Sequence, residues 1–143
     1  MKIIFLGHTS VHAALIAANI YLGQLQDDGL CMTEGLADVS YDLSGRPLYI
    51  GTDEAGTEVY TLGGGKDLWM VKRSINDLRD ILGFKPEELI IETISSRWDW
   101  VLGVLMKIPP FIGGSHINYW ASKILLSTQI DQLNQAVAKM KTA

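Results

Sequence analysis

Three histidines, two adjacent carboxylates and one arginine are the side chains best suited to chemistry here. His8 lies in Gly7-His8-Thr9-Ser10, directly after an apolar run, and His12 follows four residues later. A loop of this kind that opens a helix offers N–H groups, hydroxyls and the positive end of a helix dipole to an anion. Gly7, Thr9 and Ser10 would supply donors, and His8 an acid–base group. The plainer reading makes Gly7 a turn and Ser10 or Thr9 a helix cap. Thr52-Asp53-Glu54 leads into a stretch of turn composition. Asp53 there is a candidate catalytic carboxylate, with Thr52 and Glu54 as ligand contacts, although an Asp in a turn more often bonds its own backbone. Arg97, after Ser95-Ser96, would neutralise an anionic ligand or pair with Glu92 or Asp99.

His8, His12, His116 and Asp53 would together make a three-histidine, one-carboxylate metal site, the basis of a metal-dependent hydrolase as an alternative. His-x-x-x-His alone is a weak signal, and neither a bound metal nor a cofactor is expected. Phosphate-loop fingerprints fail. Gly7 is followed by His12-Ala13 where Gly-Lys belongs, Gly65-Lys66 runs into Asp67, and no Gly-x-Gly-x-x-Gly occurs. The only cysteine, Cys31, rules out an internal disulfide and any multi-cysteine zinc site.

Elements must position these groups. Ile3 to Leu6 reads as a strand apolar on both faces, hence internal to a sheet. Val11 to Leu22 reads as a helix ended by Gly23, with Ala13, Ala14, Ala17 and Ala18 allowing close packing. A short helix is expected near residues 33–39. Leu48-Tyr49-Ile50 and Val59-Tyr60-Thr61-Leu62 read as a hairpin about Asp53-Glu54-Ala55-Gly56. Leu68, Val71, Ile75, Leu78 and Leu82 draw one apolar helical stripe. Leu89 to Ile94 is a second internal strand. Trp98 to Ile108 reads as helical up to Pro109-Pro110. Ser115 would cap a last helix that buries Ile117, Trp120, Ala121, Ile124, Leu125, Leu133, Val137 and Met140.

Strand, helix, hairpin, helix, strand, helix, helix is the order of a three-layer α/β domain with a small mixed sheet, and 143 residues suit a single domain. An antiparallel α+β arrangement is the rival. In open α/β sheets ligands lie beyond the carboxyl ends of the strands. If the first, second and last strands run parallel, that edge gathers His8, Asp53 and Arg97.

Composition narrows the function. Twelve basic against sixteen acidic residues give a net charge of −4, which argues against nucleic-acid binding. Charge is uneven: residues 24–60 hold eight acids and one base, and residues 97–143 hold five bases and two acids. No apolar run reaches the length of a membrane helix, so membrane insertion is not expected. The four-residue run after Lys2 is short for a signal peptide. A lone cysteine fits a reducing cytoplasm. Residues 100–112 are apolar nearly all round, broken by Lys107. A second copy of the chain is the simplest cover for such a segment, and its burial within the chain or a lid role are the alternatives.

Gly7-His8-Thr9-Ser10-Val11, Ile20-Tyr21-Leu22-Gly23 and the segment from Tyr49 to Gly63, with its Gly51-Thr52-Asp53-Glu54 and Val59-Tyr60-Thr61-Leu62-Gly63, resemble a family of small bacterial proteins of unknown function found mainly in spore-forming Firmicutes. The resemblance covers roughly the first 65 residues, and His12 departs from its pattern. It implies a cytoplasmic bacterial protein and supplies no reaction. The expectation is a protein that binds an anionic or phosphorylated small molecule at the carboxyl edge of the sheet, with a non-enzymatic oligomeric or regulatory protein as the alternative.

Overall fold

A computed structural model of the chain describes residues 1–24, 35–105 and 107–142. Four strands form one mixed sheet: β1 (Lys2–Gly7), β2 (Leu48–Thr52), β3 (Glu58–Gly63) and β4 (Leu89–Thr93), in the order β2-β3-β1-β4. β1 is central and pairs parallel with both β3 and β4, which is why Ile3 to Leu6 are apolar on both faces. β2 runs antiparallel to β3 as the hairpin requires, with a register shift between Tyr49 and Gly51.

The helices are α1 (Ala13–Tyr21), α2 (Val39–Leu43), α3 (Leu68–Ile81), α4 (Asp99–Leu105), α5 (Gly114–Ser127) and α6 (Ile130–Thr142), with a 3₁₀ turn at Pro110–Ile112. Strand alternation divides the core between two faces. Ile3, Phe5 and Val59 point to one face, where α1, Leu102 of α4, Leu126 of α5 and Leu133 and Val137 of α6 pack on them. Ile4, Leu6 and Ile91 point to the other, covered by Leu68, Val71 and Ile75 of α3. The result is the three-layer α/β fold expected from the order of elements.

Several local expectations are corrected. α1 begins at Ala13, and His12 occupies the cap position without a side-chain cap bond. Neither Ser10 nor Thr9 caps the helix, because both side chains turn to other partners. The short second helix lies at Val39–Leu43, beyond the expected 33–39. Part of that expected segment, with Cys31, lies outside the described residues. Leu78 and Leu82 leave the packed stripe and are exposed, since α3 meets the sheet through Leu68, Val71 and Ile75. The last helix is two helices, and α5 starts from a left-handed Gly113, not from a Ser115 cap. It buries Ser122 and Leu126 while Ile117, Trp120 and Ile124 face outward, because α5 packs through the opposite side. Among the described residues, no helix is long and apolar enough to cross a membrane.

Candidate functional site

β1 feeds α1 on one face, while β3 feeds α3 on the other. Adjacent strands that diverge in this way create a crevice at their carboxyl ends. Here the protein fills that crevice itself. Gly64 N–H donates to Gly7 O at 2.8 Å, and Gly65 N–H to His8 O at 3.0 Å. Ser10 donates both its backbone N–H and its hydroxyl to Asp42 Oδ1, at 2.8 and 2.9 Å. The carboxylate of Asp42 thus takes the position before α1 that an anion was expected to occupy. The packing is tight: a side-chain Cβ at Gly63 would collide with Asp42 Oδ1, and one at Gly7 would lie 2.8 Å from Thr9 O and 2.9 Å from Ala14 Cβ.

The histidines do not converge. His12 is 1% exposed. Its Nδ1 lies 2.5 Å from Thr9 Oγ1 and its Nε2 lies 3.0 Å from Ser122 Oγ. In either neutral tautomer one nitrogen donates and the other accepts, so the ring ties the loop after β1 to α5. His8 donates from Nδ1 to Gly65 O at 2.9 Å, which leaves Nε2 as its remaining nitrogen. His116 is exposed in the first turn of α5. The described residues contain no group of three or more metal-ligating side chains.

Asp53 is on the wrong edge. Because β2 runs against β1, Thr52, Asp53 and Glu54 lie at the amino end of the sheet, opposite His8. A tight hairpin forces one of its strands to oppose the other, so the expectation that one rim gathers His8, Asp53 and Arg97 is overturned. Asp53 Oδ1 accepts the N–H groups of Ala55 at 2.9 Å and Thr57 at 2.8 Å, and Oδ2 accepts the Tyr21 hydroxyl at 3.2 Å. The Thr57 N–H above all holds its carboxyl below the usual range. Burial, reinforced by Asp53, pushes the Tyr21 phenol up. These groups border an open cleft of about 800 Å³ beneath α1 and α6.

Arg97 does follow β4 at the carboxyl edge. It is exposed and forms no ion pair with Glu92 or Asp99. Asp99 Oδ2 instead accepts Ser96 N–H at 2.9 Å. Burial raises the Asp99 carboxyl above its ordinary range, against the Ser96 N–H and the nearby His8. Ser96 Oγ donates to Gln129 Oε1 at 2.6 Å, which fastens this loop to the junction of α5 and α6.

Open space at the carboxyl edge lies one strand over. A cleft of about 770 Å³ runs between α3 and the end of β4. Leu68, Trp69, Lys72, Arg73, Asn76 and Asp77 form one wall, and Lys72, Arg73 and Asn76, spaced 3, 4 and 7 residues from Trp69, share its helical face. Thr93 and Ser95 form the facing wall. Arg73 stands over the Trp69 ring at 5.5 Å and lies 3.9 Å from Asp77. Lys72 has no carboxylate within ion-pair distance among the described residues. Sequence reasoning missed this set. Its signal was Lys72, Arg73 and Asn76 recurring at helical spacing beside the apolar stripe.

No curated protein and no solved structure matches this chain. One family model, described as a protein of unknown function (DUF3189), matches residues 2–142, far beyond the first 65 that carried the resemblance. The chain belongs to the DUF3189 family, a family of unknown function.

Proposed function

We propose that this protein binds an anionic small molecule at the carboxyl edge of its sheet, in the cleft between α3 and β4. The observation that carries this reading is the meeting of Lys72 and Arg73 with the Thr93 and Ser95 hydroxyls around one concave space. Lys72, with Arg73 whose charge Asp77 partly offsets, supplies positive charge for a phosphate-like anion, and hydroxyls can complete its hydrogen bonds. Arg97 and Ser96 lie in the loop that continues from this wall. His8, on the loop after β1 at the same sheet edge and with Nε2 unengaged by the Gly65 bond, is the candidate acid–base group of this reading. Gly7, Thr9 and Ser10 support the loop and do not contact ligand in this reading. A cytoplasmic bacterial setting belongs to the same proposal, supported by the single cysteine and the sequence resemblance.

A thermal-shift titration with pyrophosphate tests the proposal. Ligand at 100 times its dissociation constant stabilises by roughly 2.7 kcal/mol. The expected result is a rise in melting temperature that Lys72→Gln/Arg73→Gln abolishes. An absent shift, or one the double variant retains, overturns it.

A second reading is self-association through residues 100–112 and the neighbouring face of α5. Trp100, Phe111 and Trp120 are 71%, 86% and 58% exposed, beside exposed Val104, Ile112, Ile117 and Ile124. Monomers seldom leave so large an apolar surface in water, and a two-fold contact is its commonest cover. Light scattering at micromolar concentration should give a dimer mass that Phe111→Glu/Trp120→Glu halves. A monomer mass for the unaltered protein ends this reading.

A further inference from the structure

Resting on the anion-binding reading of the α3–β4 cleft, we propose that its ligand carries a planar heteroaromatic ring as well as a phosphate, as a nucleoside monophosphate does. Trp69 supplies the argument. It stands on the first turn of α3, in the same cleft as Lys72 and Arg73, yet 68% of it is exposed. It therefore contributes little to the core, which α3 reaches through Leu68, Val71 and Ile75. An indole in this position is a stacking surface, because every base presents a π-face and stacking tolerates different bases.

The rest of the cleft divides its labour accordingly. Arg73 lies over one face of the Trp69 ring, which holds the indole in place and leaves the opposite face as the one a base would stack on. Asp77 partly offsets the Arg73 charge from 3.9 Å away, so Lys72 is the cation most available to a phosphate. Thr93 and Ser95 add hydroxyl donors beside it. Asn76, one turn further along α3, offers both a donor and an acceptor. That pairing suits the edge of a heterocycle and is wasted on a simple anion.

Equilibrium dialysis on the full chain tests this with three probes: AMP, adenosine and inorganic phosphate. AMP is expected to bind at least tenfold more tightly than phosphate. Trp69→Ala should bring AMP down to the level of phosphate, while Trp69→Phe, which keeps a ring, should restore most of the difference. Lys72→Gln should weaken AMP and phosphate alike and leave adenosine unchanged. Trp69 is exposed, so its variants should melt with the unaltered protein, and that melt confirms folded material. If phosphate binds through Lys72 but AMP binds no more tightly, or Trp69→Ala leaves AMP binding intact, the ring is not recognised and only the anion reading survives. If none of the three binds, both readings fail.

Discussion

Ser10 gives both of its donors to a single oxygen of Asp42, one helix away along the chain. The carboxylate sits at the opening of α1, where the loop after β1 meets Gly63 at the end of β3. A residue from α2 thereby closes the crevice that the strand connections open. The charge serves the fold at the place where a ligand was expected.

Removal of that carboxylate should loosen the carboxyl edge. Asp42→Ala leaves the buried Ser10 N–H and hydroxyl without their acceptor. Hydrogen bonds to a charged group are worth roughly 1.5–3 kcal/mol, so a loss of about 2 kcal/mol is expected in urea denaturation, with Asp42→Asn losing less. A change under half a kcal/mol would mean that solvent replaces the bond.

Thr61 is fully buried on the α1 side of β3, and its hydroxyl has no hydrogen-bond partner. Thr61→Val keeps the shape and removes the orphan oxygen. Burial of an unpaired hydroxyl costs about 1–3 kcal/mol, so the variant should melt at a higher temperature. A lower melting temperature would show that the hydroxyl is satisfied in solution, most simply by water.

Two carboxyls should respond to pH with opposite signs. Asp53 titrates below its ordinary range because Thr57, Tyr21 and Ala55 donate to it. It contributes stability above its unfolded titration, and that contribution is lost as pH falls through the folded one. Asp53→Asn should thus be less stable than the unaltered protein at neutral pH, with the gap closing in acid. Asp99 titrates above its ordinary range, chiefly through burial. Its ionisation opposes folding, so Asp99→Asn should be the more stable at neutral pH, again with the gap closing in acid. Denaturant melts at neutral and acidic pH measure both, and like signs for the two variants would contradict these environments.

His12 should behave as a structural pin. Ser122→Ala removes the partner at Nε2, 3.0 Å away and fully buried. The expected cost is about 1–3 kcal/mol in a chemical melt. Pyrophosphate binding should not change, since the ring lies on the α1 side and the cleft on the α3 side. A variant that keeps stability but loses pyrophosphate binding would move the site to the His12 side.

The order of elements was legible in the residues because it depends on local patterns. Ile3 to Leu6 is apolar without a break, the stripe from Leu68 to Ile75 recurs at helical spacing, and Asp53 to Gly56 has turn composition. Those features follow from side-chain period and backbone freedom, which a sequence displays directly. They also placed His8 and Arg97 after strands that end at the same edge.

What only the tertiary structure decided was which strands run together and which polar groups meet. A hairpin can enter a sheet in either direction. The pairing of β3 with β1 made β2 the antiparallel member and sent Asp53 to the far edge. The meeting of Ser10 with Asp42, and of His12 with Ser122, joins residues 32 and 110 positions apart. Nothing in local spacing encodes such contacts, since they depend on how helices settle on the sheet. The same holds for α5: its sequence offers apolar residues on two sides, and packing against its neighbours decided that Leu126 is buried and Trp120 faces out.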